Sequence, residues 1–144
     1  MDIFDKILSD HEKIRGLIGK LEATGDDADQ RCEAYTALKN FLLCHHDAEQ
    51  ETFFAELVQH AEARDDAMHM IEEHGEHKKI IEQMDAIDPR ADRWEDKFAE
   101  LKDDVLHHID EEEEDVFEVA RQVLPKSVAE QLGVRMTQID GGPA

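Results

Sequence analysis

The stretch LHHIDEEEEDVFEV, residues 106–119, decides the fold. It sets two histidines and a run of acidic residues between Leu106 and Val116, inside what otherwise reads as an amphipathic helix. A similar phrase, LCHHDAEQETFFAEL, stands upstream at 43–57. Laid side by side without a gap, LKNFLLCHHDAEQETFF (38–54) and LKDDVLHHIDEEEEDVF (101–117) agree at Leu38, Lys39, Leu43, His45, Asp47, Glu49, Glu51 and Phe54, each meeting the same residue 63 positions on. His11 and His74 stand at the same spacing. The chain is written as two related halves.

Working outward, break signals divide the chain. GDDAD (25–29) carries a glycine and capping aspartates, RDD (64–66) is weaker, DPR (88–90) holds Pro89, and Pro125 closes the last long segment. Between them lie segments of helical period near 2–24, 29–63, 66–87 and 91–123, with a short further helix at 126–133. Apolar residues recur in steps of three and four: Ile3, Ile7, Ile14, Ile18 and Leu21; Leu38, Leu42, Phe53 and Leu57; Met70, Ile81, Met84 and Ile87; Leu101, Val105, Val116, Val119 and Val123. Short connections make neighbouring helices antiparallel. The expected fold is all-α, an up-down-up-down four-helix bundle with a short C-terminal fifth helix. One domain is expected over 1–144, with 136–144, including the terminal GGPA, as a flexible tail.

Composition narrows the function. A formal net charge of −21 repels phosphodiester backbones and anionic lipid surfaces, so neither nucleic acid nor membrane is an expected partner. Cys32 and Cys44 form no CxxC pair and fall on one helical segment, which argues against a disulfide between them and for a reducing compartment. The opening MDIFDKILSDHEK has no apolar core of a signal peptide. Cytoplasmic residence is the expectation.

The apolar seams are interrupted in register. In the fourth segment the stripe Leu101, Val105, 108, 112, Val116 holds His108 and Glu112 where core residues belong. In the second, His45 and Glu49 interrupt Leu38, Leu42 and Phe53 in the same way. His11 fills the gap between Ile7 and Ile14, and His74 and His77 that between Met70 and Ile81. Helical rise brings these groups to one level. From His11 the chain climbs about 13 residues, roughly 20 Å, and returns about 16 residues, roughly 24 Å, to His45. His74 to His108 is the same excursion. Buried imidazoles and carboxylates at one depth require a compensating partner, since an unpaired buried carboxylate costs several kcal/mol or protonates. A pair of cations satisfies them, and nitrogen and oxygen donors with few thiols suit iron, manganese or zinc. The expected metal ligands are His11, His45, Glu49, His74, His108 and Glu112. They leave open positions for a small ligand and a bridging oxygen.

At these residues, from DHEKIRGLI at 10–18 to VFEVARQVLP at 116–125, the chain resembles the hemerythrin family and its bacterial HHE cation-binding domains. The resemblance implies a bundle holding two non-haem iron ions. His11 and His45 would ligate one side, His74 and His108 the other, and Glu49 and Glu112 would bridge. Oxygen-carrying members have a further histidine four residues after the third; here that position is Lys78, and His77 lies one residue short. They also use an aspartate five residues after the last histidine, where this chain has Glu113 beside Glu112. Four histidines and two glutamates are also the set of the iron-cluster repair proteins the chain resembles. Those carry an N-terminal cysteine-pair domain that is not present in this sequence.

Three functions are consistent with this reading. The first is reversible binding or sensing of O2, NO or another small oxidant. The second is a stress-defence enzyme acting on peroxide or NO. The third is iron storage or donation. Around the six candidate ligands, His77 reads as a fifth imidazole, as a hydrogen-bonding partner of a ligand, or as a seam-edge residue. His46 and His107, turned about 100° from their neighbours, read as flanking. His60 and His69 read as surface residues. Of the acidic run only Glu112 lies in the seam, and the rest read as a solvated face that draws cations toward the site. Tyr35, Trp94 and the methionines at 68, 70 and 84 read as packing, and Cys44 as turned away.

Overall fold

The computed structural model describes residues 1–140. Among them every regular element is helical. Helix α1 spans Ile3–Glu22, and α2 spans Ala28–Glu49. A π-helical turn at Gln50–Phe54 joins α2 to α3, Ala55–Leu57. Helix α4 is Arg64–Asp85 and α5 is Asp92–Glu111. A second π turn at Glu112–Val116 leads into α6, Phe117–Val123, and α7 is Lys126–Ile139.

Local chemistry sets most of these limits. Asp2 accepts a hydrogen bond from the Asp5 amide (2.9 Å) and Asp27 one from the Gln30 amide (3.0 Å), capping α1 and α2. Gly25 takes φ of 55° in the α1–α2 turn, which the absence of a Cβ allows. The second segment ends at Leu57, not 63. Past it the chain turns, and Arg64 donates to the Val58 carbonyl. Asp65 and Asp66 then lie in the first turn of α4, where negative charge suits the helix dipole.

The C-terminal expectation needs correction. Helix α7 runs past 133 to Ile139, so 136–140 is no flexible tail: Met136 is fully buried and Asp140 pairs with Lys6 at 2.7 Å. The reason is a seat on α1 that the amphipathic stretch Ala129, Leu132 and Met136 fills. Gly133 permits it, because a Cβ there would collide with the Met1 carbonyl oxygen and the Asp2 backbone. The expected frayed end GGPA, 141–144, lies outside the described residues.

Two apolar clusters form the core. One gathers Ile3, Phe4, Ile7, Phe53, Phe54, Leu57, Met70, Val116 and Phe117 with the inner face of α7. The other gathers Ile14, Ile18, Leu21, Leu38, Leu42, Ile81, Met84, Trp94, Leu101 and Val105. The buried polar residues fall between the two in sequence on every long helix: His11 on α1, His45 to Glu49 on α2, His74 and His77 on α4, and His108 to Glu112 at the end of α5. Burying large aliphatic and aromatic side chains at about 1.5–3 kcal/mol each is what holds this polar layer in place.

Tyr35 and Trp94 are core residues, meeting edge to face at 5.4 Å. Met70 and Met84 are buried, but Met68 is 47% exposed and is not a packing residue. It follows Ala67, which is fully buried, on the outward side of α4. Both cysteines are free and exposed.

Candidate metal centre

All six residues expected as ligands are buried, none more than 3% exposed. His11 and His45 come from α1 and α2, and their rings meet edge to face at 5.3 Å. With Glu49 and Glu112 they offer four donor atoms within 4.8 Å of one another. A second group of donors, equally close, is formed by His74 of α4, His108 of α5 and His46 of α2. Glu49 reaches both groups, lying 3.7 Å from His45 Nε2 and 3.2 Å from His74 Nε2, and Glu112 lies 3.1 Å from His11 Nε2.

Each of the four expected histidines is fixed from behind. His11 Nδ1 donates to Glu113 (2.7 Å), His45 Nδ1 to Asp10 (2.9 Å), His74 Nδ1 to Gln50 (2.8 Å) and His108 Nδ1 to Glu73 (2.8 Å). This selects the tautomer that keeps Nε2 as a bare lone pair aimed inward, as metal-ligating histidines are held. The partners obey the internal repeat. Glu113 stands 63 positions after Gln50, and Glu73 stands 63 after Asp10. Asp10 is held in turn by Lys6 (2.9 Å), which also binds Asp140 at the end of α7.

Inside the layer the polar atoms lack partners. His11 Nε2 and all four carboxylate oxygens of Glu49 and Glu112 are buried without a well-formed hydrogen bond. The Nε2 atoms of His74 and His108 are only 3.2 Å apart. With both Nδ1 atoms donating, two lone pairs face each other across that gap. Such an arrangement is unfavourable by itself and is relieved by cations among the donors, so these residues fit a metal centre.

Electrostatics agree. Burial pushes the Glu49 carboxyl well above its ordinary range, and the adjacent Glu112 adds to this. Glu112 is held down: burial opposes ionisation, but Glu49 and the nearby His11 and His108 overcome it. Burial lowers His45, His46 and His74, keeping them neutral. His11 is raised, because Glu112 and Glu113 outweigh its burial.

The structure departs from the sequence reading at several positions. His46 is buried and stacks on His74, with centroids 3.7 Å apart; it is not a flanking residue. The 100° step between neighbours aims His45 at α1 and His46 at α4, and both directions lie inside because α2 is covered by both helices. His77 is also buried, 5.1 Å from His108 and 5.2 Å from His46, with Nδ1 unpartnered. Burial lowers it to about 4. His69 is exposed, as expected, and His107, read as flanking, is exposed too; His60 is partly covered and paired with Glu56. Glu113 does not belong to a solvated face, since it holds His11. The supporting residues Asp10, Gln50 and Glu73 went unnoticed in the sequence, although adjacency to a ligand or its repeat mate marks each of them.

A cavity of about 260 Å³ opens between α2 and α4, with His46 and His74 as its buried lining and Gln50 and Lys78 at its edge. No described helix is long and apolar enough to cross a membrane.

Comparison with known proteins places the chain in a cation-binding family. The model of the hemerythrin HHE cation binding domain matches residues 2–120. The chain belongs to that family. It is 30% identical over 132 residues to a DNA nickase of Nostoc sp. (strain PCC 7120 / SAG 25.82 / UTEX 2576). The alignment covers 91% of this chain and 37% of the Nostoc protein, so the chain spans little more than a third of that relative. No solved structure matches it.

Proposed function

We propose that this member of the hemerythrin HHE family is a non-haem di-iron protein that binds or senses a small oxidant or a diatomic gas, O2 or NO. In this reading four long helices form an up-down-up-down bundle, with α7 laid across α1. His11 and His45 would hold one ion, His74, His108 and His46 would hold the other, and Glu49 and Glu112 would supply the carboxylate oxygens between them. The observation that carries it is the inward set of bare nitrogens and unpartnered carboxylates, each expected histidine anchored through Nδ1.

Bound iron would supply a redox-active electrophile with a vacant position for the ligand. The protein does the rest. The apolar clusters on either side keep bulk water from the layer. Asp10, Gln50, Glu73 and Glu113 orient the rings. The opening beside His46 and His74 admits a molecule of a few atoms. Metal analysis with Mössbauer spectra of protein produced with iron tests the centre: two irons per chain in a coupled pair are expected, and a mononuclear or iron-free protein overturns it. Exposure of the reduced protein to O2 or NO tests the ligand. A stable, reversible optical change supports binding, and its absence with both gases removes that reading.

One observation favours a second reading, a peroxide- or NO-consuming enzyme. His77 is neutral, buried beside His108 and carries an unpartnered nitrogen, which suits a group that accepts a proton. Oxygen evolution from peroxide, lost in His77→Ala and kept in His60→Ala, supports it. The activity named for the Nostoc relative is not carried over. The aligned part is 37% of that protein, and a charge of −21 opposes a DNA backbone.

A further inference from the structure

The exterior carries the same short phrase as the interior. His69-x-x-x-Glu73 on α4 and His107-x-x-x-Glu111 on α5 repeat the spacing of His45-x-x-x-Glu49 and His108-x-x-x-Glu112. The two outer phrases face each other. His69 Nε2 lies 3.1 Å from Glu111 Oε1 and 3.5 Å from Glu73 Oε2, and His107 Nε2 lies 3.4 Å from Glu111 Oε2. One donor atom each from His69, Glu73 and Glu111 falls within 4.8 Å of the others. Glu73 is shared between outside and inside: Oε1 accepts from His108 Nδ1 at 2.8 Å, while Oε2 turns to His69.

Stability does not account for this convergence. Exposed histidine–carboxylate pairs contribute little, because solvent screens them and holding the side chains in place costs entropy. Two carboxylates meeting at one imidazole is a donor set, with mixed nitrogen and oxygen chemistry suited to a borderline divalent cation. Partial exposure leaves positions for water and makes exchange fast.

We propose that His69, Glu73 and Glu111, with His107 at the edge, form a second, surface site for a divalent transition metal, and that ions pass from it to the buried centre on the His108 side. The surface site stands on its own geometry; the passage inward rests on the di-iron reading above. Glu73 is the positioning residue that links them, since a cation on Oε2 meets the carboxylate that orients His108.

The test uses the full chain and Zn(II) or Co(II) alone. Equilibrium dialysis against Zn(II), followed by metal analysis, is run on wild type, on His69→Ala/His107→Ala, and on His45→Ala/His74→Ala. The surface variant is expected to bind one ion fewer than wild type, and the buried variant to retain that ion. Equal stoichiometry in wild type and the surface variant overturns the surface site, whatever the buried centre does. If the wild type binds a single ion and the surface variant none, the surface site stands and the di-iron reading falls. Passage is read by stopped flow, as the growth of Co(II) absorption in metal-free protein. The surface variant is expected to fill the buried centre about tenfold more slowly, at the low end of what local cation enrichment gives, with unchanged final occupancy. Equal rates overturn the passage.

Discussion

His46 lies flat on His74, the ring planes 15° from parallel and the centroids 3.7 Å apart. Its counterpart 63 positions on is Ile109, also buried. The counterpart of His77, in the other direction, is Ile14. The two halves are thus alike in their His/Glu framework and unlike beside it: one side of the layer gains two imidazoles where the other has two isoleucines.

Replacing His46 with isoleucine copies the chain's own alternative at that place. The variant is expected to fold, because the position already tolerates a buried aliphatic residue in the other half. It is expected to hold one ion per chain in place of two. Elemental analysis reads this, and a full complement of two would remove His46 from the centre.

Asp10 orients His45 from behind, and Glu73 does the same for His108. Asp10→Ala is expected to weaken metal binding about 10–100-fold, the usual effect of losing such a partner. Competition with a chromophoric chelator measures it. Glu56→Ala, which frees only His60, is the control and should leave affinity unchanged.

Glu49 and Glu112 oppose each other whenever metal is absent. Glu49→Gln is therefore expected to stabilise the metal-free protein by about 1–3 kcal/mol, the scale of one buried unsatisfied polar group, and to abolish the paired centre. In urea melts the metal-free variant should unfold later than metal-free wild type. Adding Fe(II) should reverse the order.

Tyr35 donates to Asp85 at 2.9 Å beneath Trp94. Burial, and then the Asp85 charge, push its phenol above the usual 10.0. A folded-state value above the unfolded one means the folded chain keeps the proton longer. The contribution is then complete below pH 10 and is lost as pH rises beyond it. Tyr35→Phe is expected to cost about 1–2 kcal/mol at pH 7, and the gap from wild type should narrow in melts above pH 10.

Gly133→Ala places a methyl group against the Met1 carbonyl and the Asp2 backbone. Overpacking of this kind costs about 1–3 kcal/mol. A lowered melting temperature without altered metal stoichiometry is the expected outcome, and an unchanged melt would mean that α7 does not seat as described.

The helices and the polar layer were legible because one physical demand, imidazole and carboxylate where leucine belongs, recurs at a fixed interval. His46 was not, because a helical wheel gives direction around one axis and says nothing of how many neighbours cover that helix. The Nδ1 partners were hidden for a related reason: Glu113 among acids, or Gln50 among polar residues, looks like solvent-facing surface until the opposing helix is in place. Helix α7 was read short because Met136, alone beyond Leu132, gives too little periodicity, and its seat on α1 is a tertiary matter.

The two π turns explain why the halves match so closely. Ala55 and Phe117 each bond five residues back, so each turn takes in one residue more than an α-helix would. They join the donor layer to the Phe4–Phe53–Phe117 cluster, where the rings meet at 5.1–6.0 Å. A deletion there would swing everything downstream by about 100° and turn the phenylalanines to water or the glutamates out of the layer. The spacing between donor and ring is thus a lock on sequence length: drift can exchange residues within it, but no insertion or deletion passes without undoing one end or the other.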